Sequence, residues 1–304
     1  MRCVVLMSTY NGERFLCEQL RSILDQLPAD GLIVIRDDGS RDGTVSVVRS
    51  FLDPRIRFVL GENVGFARSF FALMKMAPRD ADMYMLADQD DVWLPGKIDR
   101  AWAMVAGSGS SPFLYCSYTT LVDSSLRYIG VGGKLMPNGK LISALTDNQV
   151  TGCTAAMNAA LLDLAIPDEA VLDGIHFHDW WLFVVATAFG GVFCDKHSGV
   201  LYRQHSRNLV GAGVGLMKYF KMLRYLTRKS WLASLTSQIH AFRASYLHRL
   251  TAAQLCELDA VCDPVLGLRR LAVLCSPKLH RHSWGGELLL RLLLAFDWRD
   301  SRSR

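Results

Sequence analysis

No apolar run in this chain is long enough to cross a bilayer, which takes about 20 residues as a helix. The best candidate, Leu182 to Cys194, is 13 residues long and contains Gly190-Gly191, the pattern of a buried core segment. The first residues lead straight into Cys3-Val4-Val5-Leu6-Met7, without the charged region and apolar stretch of a signal peptide, so a cytoplasmic protein is expected. Eight cysteines are present, yet no two have the two-residue spacing of a zinc knuckle. Most sit in apolar surroundings, where a free thiol behaves as a small hydrophobe, and reduced core thiols are expected. Internal repeats and low-complexity segments are missing too.

What is present is a globular composition. Of 304 residues, 50% are hydrophobic and 21% charged, enough for a sizeable core. The charge is unevenly spread. From Leu216 onward 15 Lys and Arg stand against 6 Asp and Glu, whereas the preceding residues carry 19 against 23. An acidic body with a basic tail points to a polyanionic surface as partner, either anionic lipid or nucleic acid.

Along the first half, apolar strands alternate with helical periods. Residues 3 to 7, 32 to 35, 55 to 60 and 84 to 87 predict buried strands; residues 13 to 26, 45 to 51 and 66 to 76 predict helices between them. That alternation implies right-handed crossovers and a mainly parallel sheet covered on both faces, an α/β fold. Ligands of such sheets bind at the carboxyl ends of the strands. Here every strand end is polar: Thr9, Tyr10 and Asn11, then Asp37 and Asp38, then Asn63, then Asp88, Asp90 and Asp91. Three carboxylates within four residues repel one another unless something positive sits among them, and a divalent cation holding a diphosphate is the commonest such group.

The second half is less regular. Residues 113 to 118 predict a strand, and the glycine-rich residues 130 to 140 a loop beside the cleft. Thr151-Gly152-Cys153-Thr154-Ala155-Ala156-Met157-Asn158 predicts a small-residue strand suited to close approach by backbone or substrate. His178-Asp179-Trp180-Trp181 opens a helix, where Asp179 is either a cap or a functional carboxylate. From residue 216 to 250, and again from 285 to 304, basic and apolar residues interleave as in helices that lie at a membrane interface or pack on a protein body.

Four of these stretches, Thr9-Tyr10-Asn11, Asp37-Asp38-Gly39-Ser40-Arg41-Asp42-Gly43-Thr44, Asn63-Val64-Gly65 and Asp88-Gln89-Asp90-Asp91-Val92-Trp93, occur in order and at intervals that resemble the family 2 glycosyltransferases. These are inverting enzymes of the GT-A fold, a Rossmann-like sheet flanked by helices, that use nucleotide sugars. The resemblance covers about residues 1 to 210. With the later Tyr202-Arg203-Gln204-His205-Ser206-Arg207-Asn208, the pattern is similar to bacterial rhamnosyltransferases of surface-polysaccharide synthesis. It implies a nucleotide-sugar half over residues 1 to 110 and an acceptor half over 111 to 210; the composition of residues 211 to 304 adds a basic helical extension expected to meet the membrane surface.

The resemblance also implies roles. Thr9, Tyr10 and Asn11 would line the nucleotide, Asp38 would accept from the pyrimidine N–H, and Asn63 and Arg68 would approach the donor. Asp88 would contact the ribose, and Asp90 would hold Mg²⁺ or Mn²⁺, with His205 as a further ligand. Asp179 would be the base. Relatives carry Glu-Asp where this chain has His178-Asp179, so Asp179 alone fills that role. Trp180, Trp181 and Gly152 would meet the acceptor. The implied reaction moves L-rhamnose from dTDP-L-rhamnose to a lipid-linked glycan at the inner face of the cell membrane. A UDP-hexose or UDP-GlcNAc donor is the alternative. A nucleotidyltransferase would need a glycine-rich, basic loop after the first strand, where Ser8 to Arg14 has one glycine. A non-catalytic nucleotide-sugar binding module would not need Asp179. No nucleic-acid motif accompanies the basic tail, so nucleic acid is not an expected partner.

Overall fold

The computed structural model describes residues 1–133, 140–205 and 230–262. Alternating strands and helices build the first half as the periodicity predicts: β1 (Cys3–Thr9), α1 (Glu13–Leu24), β2 (Leu32–Asp37), α2 (Thr44–Ser50), β3 (Ile56–Leu60), α3 (Phe66–Met76) and β4 (Met83–Ala87). There follow β5 (Val92–Trp93), α4 (Lys97–Val105), β6 (Phe113–Val122), β7 (Tyr128–Gly132), α5 (Leu141–Thr146), β8 (Ala156–Met157), α6 (Ala159–Ala165), α7 (His178–Phe189) and β9 (Gly191–Arg203). Two helices of the basic region complete the described chain, α8 (Ser230–Tyr246) and α9 (Ala252–Cys262).

One nine-stranded sheet runs in the order β3-β2-β1-β4-β8-β6-β9-β5, with β7 paired to β6. β1, β2, β3 and β4 pair in parallel, as do β6 and β9, while β8 joins the two sets by antiparallel pairs to β4 and β6. Successive side chains of a strand point to opposite faces. Accordingly Val4 and Leu6 enter one core with α3 and α7, whereas Cys3, Val5 and Met7 enter the other with α1 and α4.

β5 shapes the site more than its length indicates. It follows β4 by four residues, yet it pairs antiparallel with β9, Val92 opposite Leu201 and Trp93 opposite Val200. Residues 88 to 91 therefore leave the middle of the sheet and reach its far edge. That path brings the acidic stretch to the end of β9.

Three expectations change. Residues 151 to 158 are not a strand throughout: a 3-10 turn occupies Gly152–Thr154, closed by Thr154 N–H to Thr151 O and Ala155 N–H to Gly152 O, and only Ala156 and Met157 join the sheet. Residues 130 to 132 belong to β7, where Gly132 pairs with Thr119; residues 134–139 lie outside the described residues. The basic helical extension is described only at 230–262, because 206–229 and 263–304 lie outside the described residues. Those two helices share the core around α7. Leu235, Ile239, Phe242, Tyr246 and Leu258 are buried in the cluster that holds Trp181 and Val185. Phe242 sits edge-on to Trp181 with centroids 6.2 Å apart, and the Tyr246 hydroxyl donates to Leu164 O at 2.6 Å. No described helix is long and apolar enough to cross a membrane.

Phe242 is 1% exposed, so Phe242→Ala should cost about 3–5 kcal/mol of stability, the range for truncating a buried phenylalanine. Urea unfolding monitored by tryptophan fluorescence measures it. An unchanged midpoint would show that α8 is an appendage rather than part of the core.

Candidate active site

The carboxyl ends of β1 and β2 are joined first. Thr9 donates from Oγ1 to Asp37 Oδ1 at 3.0 Å, and the Ser40 N–H donates to Asp37 Oδ2 at 2.8 Å. Asn11 donates its N–H to Ser40 Oγ at 2.9 Å and accepts from Arg41 N–H at 2.8 Å. Thr9 is fully buried, so its hydroxyl orients Asp37 and does not face a nucleotide base. Tyr10 next to it is 46% exposed and presents its ring at the strand end.

Asp38 closes the turn before α3. It accepts from Val64 N–H at 3.0 Å and Gly65 N–H at 2.9 Å, and it pairs with Arg36. Arg36 also reaches Glu62 O at 2.9 Å and Ser69 Oγ at 3.0 Å. Asp38 thus holds the loop that carries Asn63 at the cleft rim, with Asn63 itself exposed. Arg68, expected at the donor, extends instead toward residues 169–174, where it pairs with Asp173 and Glu169. It links the two halves across the rim.

Gln89, quoted in the acidic motif but given no role by the sequence, is a tie between strands. Its Oε1 accepts Tyr10 N–H at 2.8 Å and its Nε2 donates to Tyr10 O at 2.9 Å, the pattern of a neighbouring strand made by one side chain. Gly12 makes room for it: a Cβ there would lie 2.1 Å from Gln89 Oε1. On the other side of the motif, Gln19 Nε2 donates to Asp88 O at 2.8 Å.

The acidic stretch and Asp179 share one cleft. Burial, then the charges of Asp90 and Asp179, push the Asp88 carboxyl up to about 7. Asp91 is fully buried, and burial, then the charges of Asp90 and Asp88, push its carboxyl well above the usual range; its Oδ1 accepts Arg203 N–H at 3.0 Å. Burial pushes Asp179 up to about 6, against donors from Trp180 N–H at 2.7 Å, the Asn148 side chain and the Gly152 backbone. A Cβ at Gly152 would lie 3.0 Å from His178 Nε2, so that glycine lets the turn approach the first turn of α7. His178 is stacked on Phe70 with centroids 3.9 Å apart, and burial lowers its pKa to about 3, which keeps it neutral. Lys97, missed from sequence, lies buried 4.4 Å from the Trp93 ring centroid with its pKa lowered to about 8 by burial.

The two candidate metal ligands meet: His205 Nε2 stands 2.8 Å from Asp90 Oδ2. A carboxylate oxygen and an imidazole nitrogen amid three further carboxylates fit a divalent cation such as Mn²⁺. A second group, Asp88, Asp91 and Cys153, has donor atoms within 4.8 Å of one another, but its thiol is a soft ligand ill-matched to Mg²⁺. Trp180 and Trp181 do not offer rings to an acceptor. They are 4% and 0% exposed, and their indole N–H groups donate to Ala144 O at 2.6 Å and Ala165 O at 2.8 Å. Both are core, because α7 is apolar all round and covered by α5, α6 and α8.

A mainly parallel sheet with its acidic loop at the strand ends, and a carboxylate facing that loop across the cleft, defines a glycosyltransferase of GT-A type. The solved structures of S. aureus TarS residues 1–349 with UDP and with UDP-GlcNAc share the fold at a TM-score of 0.53 and 15% identity, covering 86% and 97% of this chain and 70% and 87% of theirs. The profile of glycosyl transferase family 2 matches residues 4–161, more than half of the chain, and the chain belongs to that family. It is 29% identical over 240 residues to dTDP-rhamnosyl transferase RfbG of Shigella flexneri, covering 74% of this chain and 80% of that relative. It is also 25% identical to the UDP-Glc:alpha-D-GlcNAc-diphosphoundecaprenol beta-1,3-glucosyltransferase WfgD of Escherichia coli, over 64% of this chain and 75% of that one.

Gly12→Ala should expel Gln89 from its two bonds, which lie at the surface, and cost about 0.5–1.5 kcal/mol, the net contribution of an ordinary intramolecular hydrogen bond. In a double-mutant cycle with Gln89→Ala by chemical denaturation, the second substitution should add little. Full additivity would show that the two residues do not act together.

Proposed function

We propose that this glycosyltransferase works in polysaccharide biosynthesis as an inverting, metal-dependent enzyme that moves L-rhamnose from dTDP-L-rhamnose to a hydroxyl of a lipid-linked glycan. The observation that carries the chemistry is the convergence of Asp88, Asp90 and His205 from one side of the cleft with Asp179 from the other. The sugar rests on the dTDP-rhamnosyl transferase relative, which spans most of the chain. A UDP-glucose donor is the second reading, favoured by the glucosyltransferase relative, whose name also supplies the precedent of a diphosphoundecaprenol acceptor.

In this reading Tyr10 meets the base beside the loop that Asp38 holds, Asn11 and Asn63 shape its rim, and Asp88 meets the ribose. Asp90 and His205 would hold Mg²⁺ or Mn²⁺, and the cation would supply positive charge to offset that of the nucleoside diphosphate leaving group. Asp179 takes the proton of the acceptor hydroxyl as that oxygen attacks the anomeric carbon. The bond from the anomeric carbon to the diphosphate oxygen breaks on the opposite face, and its electron pair leaves with the diphosphate. Residues 1–210 act as the transfer unit, and the basic residues of 211–304 meet anionic lipid at the inner face of the membrane.

Asp179 must be ionised to act, and burial pushes its carboxyl up to about 6. Turnover should therefore fall as pH drops through about 6. Asp179→Asn should lower kcat by about 10²–10⁴-fold, the usual contribution of a general base, with donor affinity kept. Retained turnover in the variant would remove Asp179 as base.

Thermal shift against dTDP-L-rhamnose, UDP-glucose and UDP-GlcNAc, with and without Mn²⁺, identifies the donor, because the correct ligand raises the melting point by mass action. The rhamnose donor should give the largest Mn²⁺-dependent shift, and Asp90→Ala should abolish it. A larger shift with UDP-glucose would replace the rhamnose assignment.

A further inference from the structure

His205 lies two residues beyond β9, yet its setting is built by α1 at the other end of the chain. The His205 imidazole stacks on Phe15, with ring centroids 5.2 Å apart and 21° between planes, while its Nε2 meets Asp90. The Arg203 guanidinium lies over the same Phe15 ring, 4.4 Å from its centroid. Arg203 is 2% exposed and fully engaged: Nη2 donates to Glu18 Oε2 at 2.5 Å, Nε to Asp90 O at 2.8 Å and Nη1 to Ser124 O at 2.9 Å. Its backbone N–H holds Asp91 Oδ1 at 3.0 Å. Phe15 and Glu18, three residues apart, stand on one face of α1.

The contacts form a closed unit. Glu18 and Phe15 fix Arg203; Arg203 fixes the backbone of Asp90 and the carboxylate of Asp91; Phe15 fixes the plane of the His205 ring. A planar guanidinium can take a carboxylate, two carbonyls and an aromatic face together, which a lysine cannot. We propose that Phe15, Glu18 and Arg203 are positioning residues that hold Asp90 and His205 together as one divalent-cation site. The inference rests on the assignment of Asp90 and His205 as the metal ligands. Groups that orient metal ligands typically change metal affinity by about 10–100-fold when removed.

The test is a titration of the full chain with Mn²⁺ alone, following free Mn²⁺ by electron paramagnetic resonance, with no donor and no turnover. Phe15→Leu should weaken Mn²⁺ binding about 10–100-fold, and Phe15→Tyr, which keeps the ring, should restore it to within a few-fold of the parent. Glu18→Gln, which keeps the shape but loses the charge on Arg203, should also weaken it, and serves as the test if Phe15→Leu does not fold. Mn²⁺ affinity unchanged in folded Phe15→Leu and Glu18→Gln, with Asp90→Ala still abolishing binding, overturns the brace and leaves the metal site standing. Parent protein that takes up no Mn²⁺ overturns both.

Discussion

Like charges in one half-buried cleft are the constraint that the site answers to. Asp88, Asp90, Asp91 and Asp179 converge there; burial raises the carboxyls of Asp88, Asp91 and Asp179, and the charges of neighbouring carboxylates raise Asp88 and Asp91 further. The neighbouring groups offset that cost. The Arg203 N–H meets Asp91, the Arg203 side chain meets the Asp90 carbonyl, and Asn148, Gly152 and Trp180 donate to Asp179. Carboxylates so crowded are relieved by a positive charge placed among them, and that is the physical ground for the proposed metal and diphosphate.

The sheet order explains how so many distant residues reach that cleft. β4 stands in the middle of the sheet, but the segment after it crosses to pair as β5 with β9. The acidic loop is therefore pinned at both ends, by the parallel core on one side and by the last strand on the other. This arrangement depends on strand pairing and apolar alternation more than on individual side chains, and the overall fold is shared with a structure only 15% identical to this chain.

The packing around α7 owes its rigidity to aromatic burial. α7 is covered by α5, α6 and α8, and Trp181, Phe242, Tyr246 and Phe189 form one contact set. α9 adds polar ties: Glu257 accepts from Ile142 N–H at 2.9 Å, and Gln254 donates to Ala188 O at 2.7 Å. Asp179, the proposed base at the start of α7, thereby stands on a helix fixed along its length, so its carboxylate is held by packing remote from the cleft.

Much of this was legible in the residues themselves. Period and alternation located the strands and helices of the first half, because a buried strand must be apolar and a crossover helix must be amphipathic. The polar strand ends located the cleft, and crowded carboxylates located its charge. Local sequence does not carry which partners a side chain finds. Thr9 turned inward to Asp37, Arg68 turned to Asp173 and Glu169, and both Trp180 and Trp181 became core. Gln89 as a bridge to Tyr10, and Phe15 and Glu18 as supports of Arg203 and His205, arise between segments far apart in the chain. Sequence alone determined the α/β order and the acidic chemistry, since both follow from residue type and spacing. Tertiary structure decided which carboxylates face one another and what braces them, since only the crossing of β5 to β9 brings those groups within bonding distance.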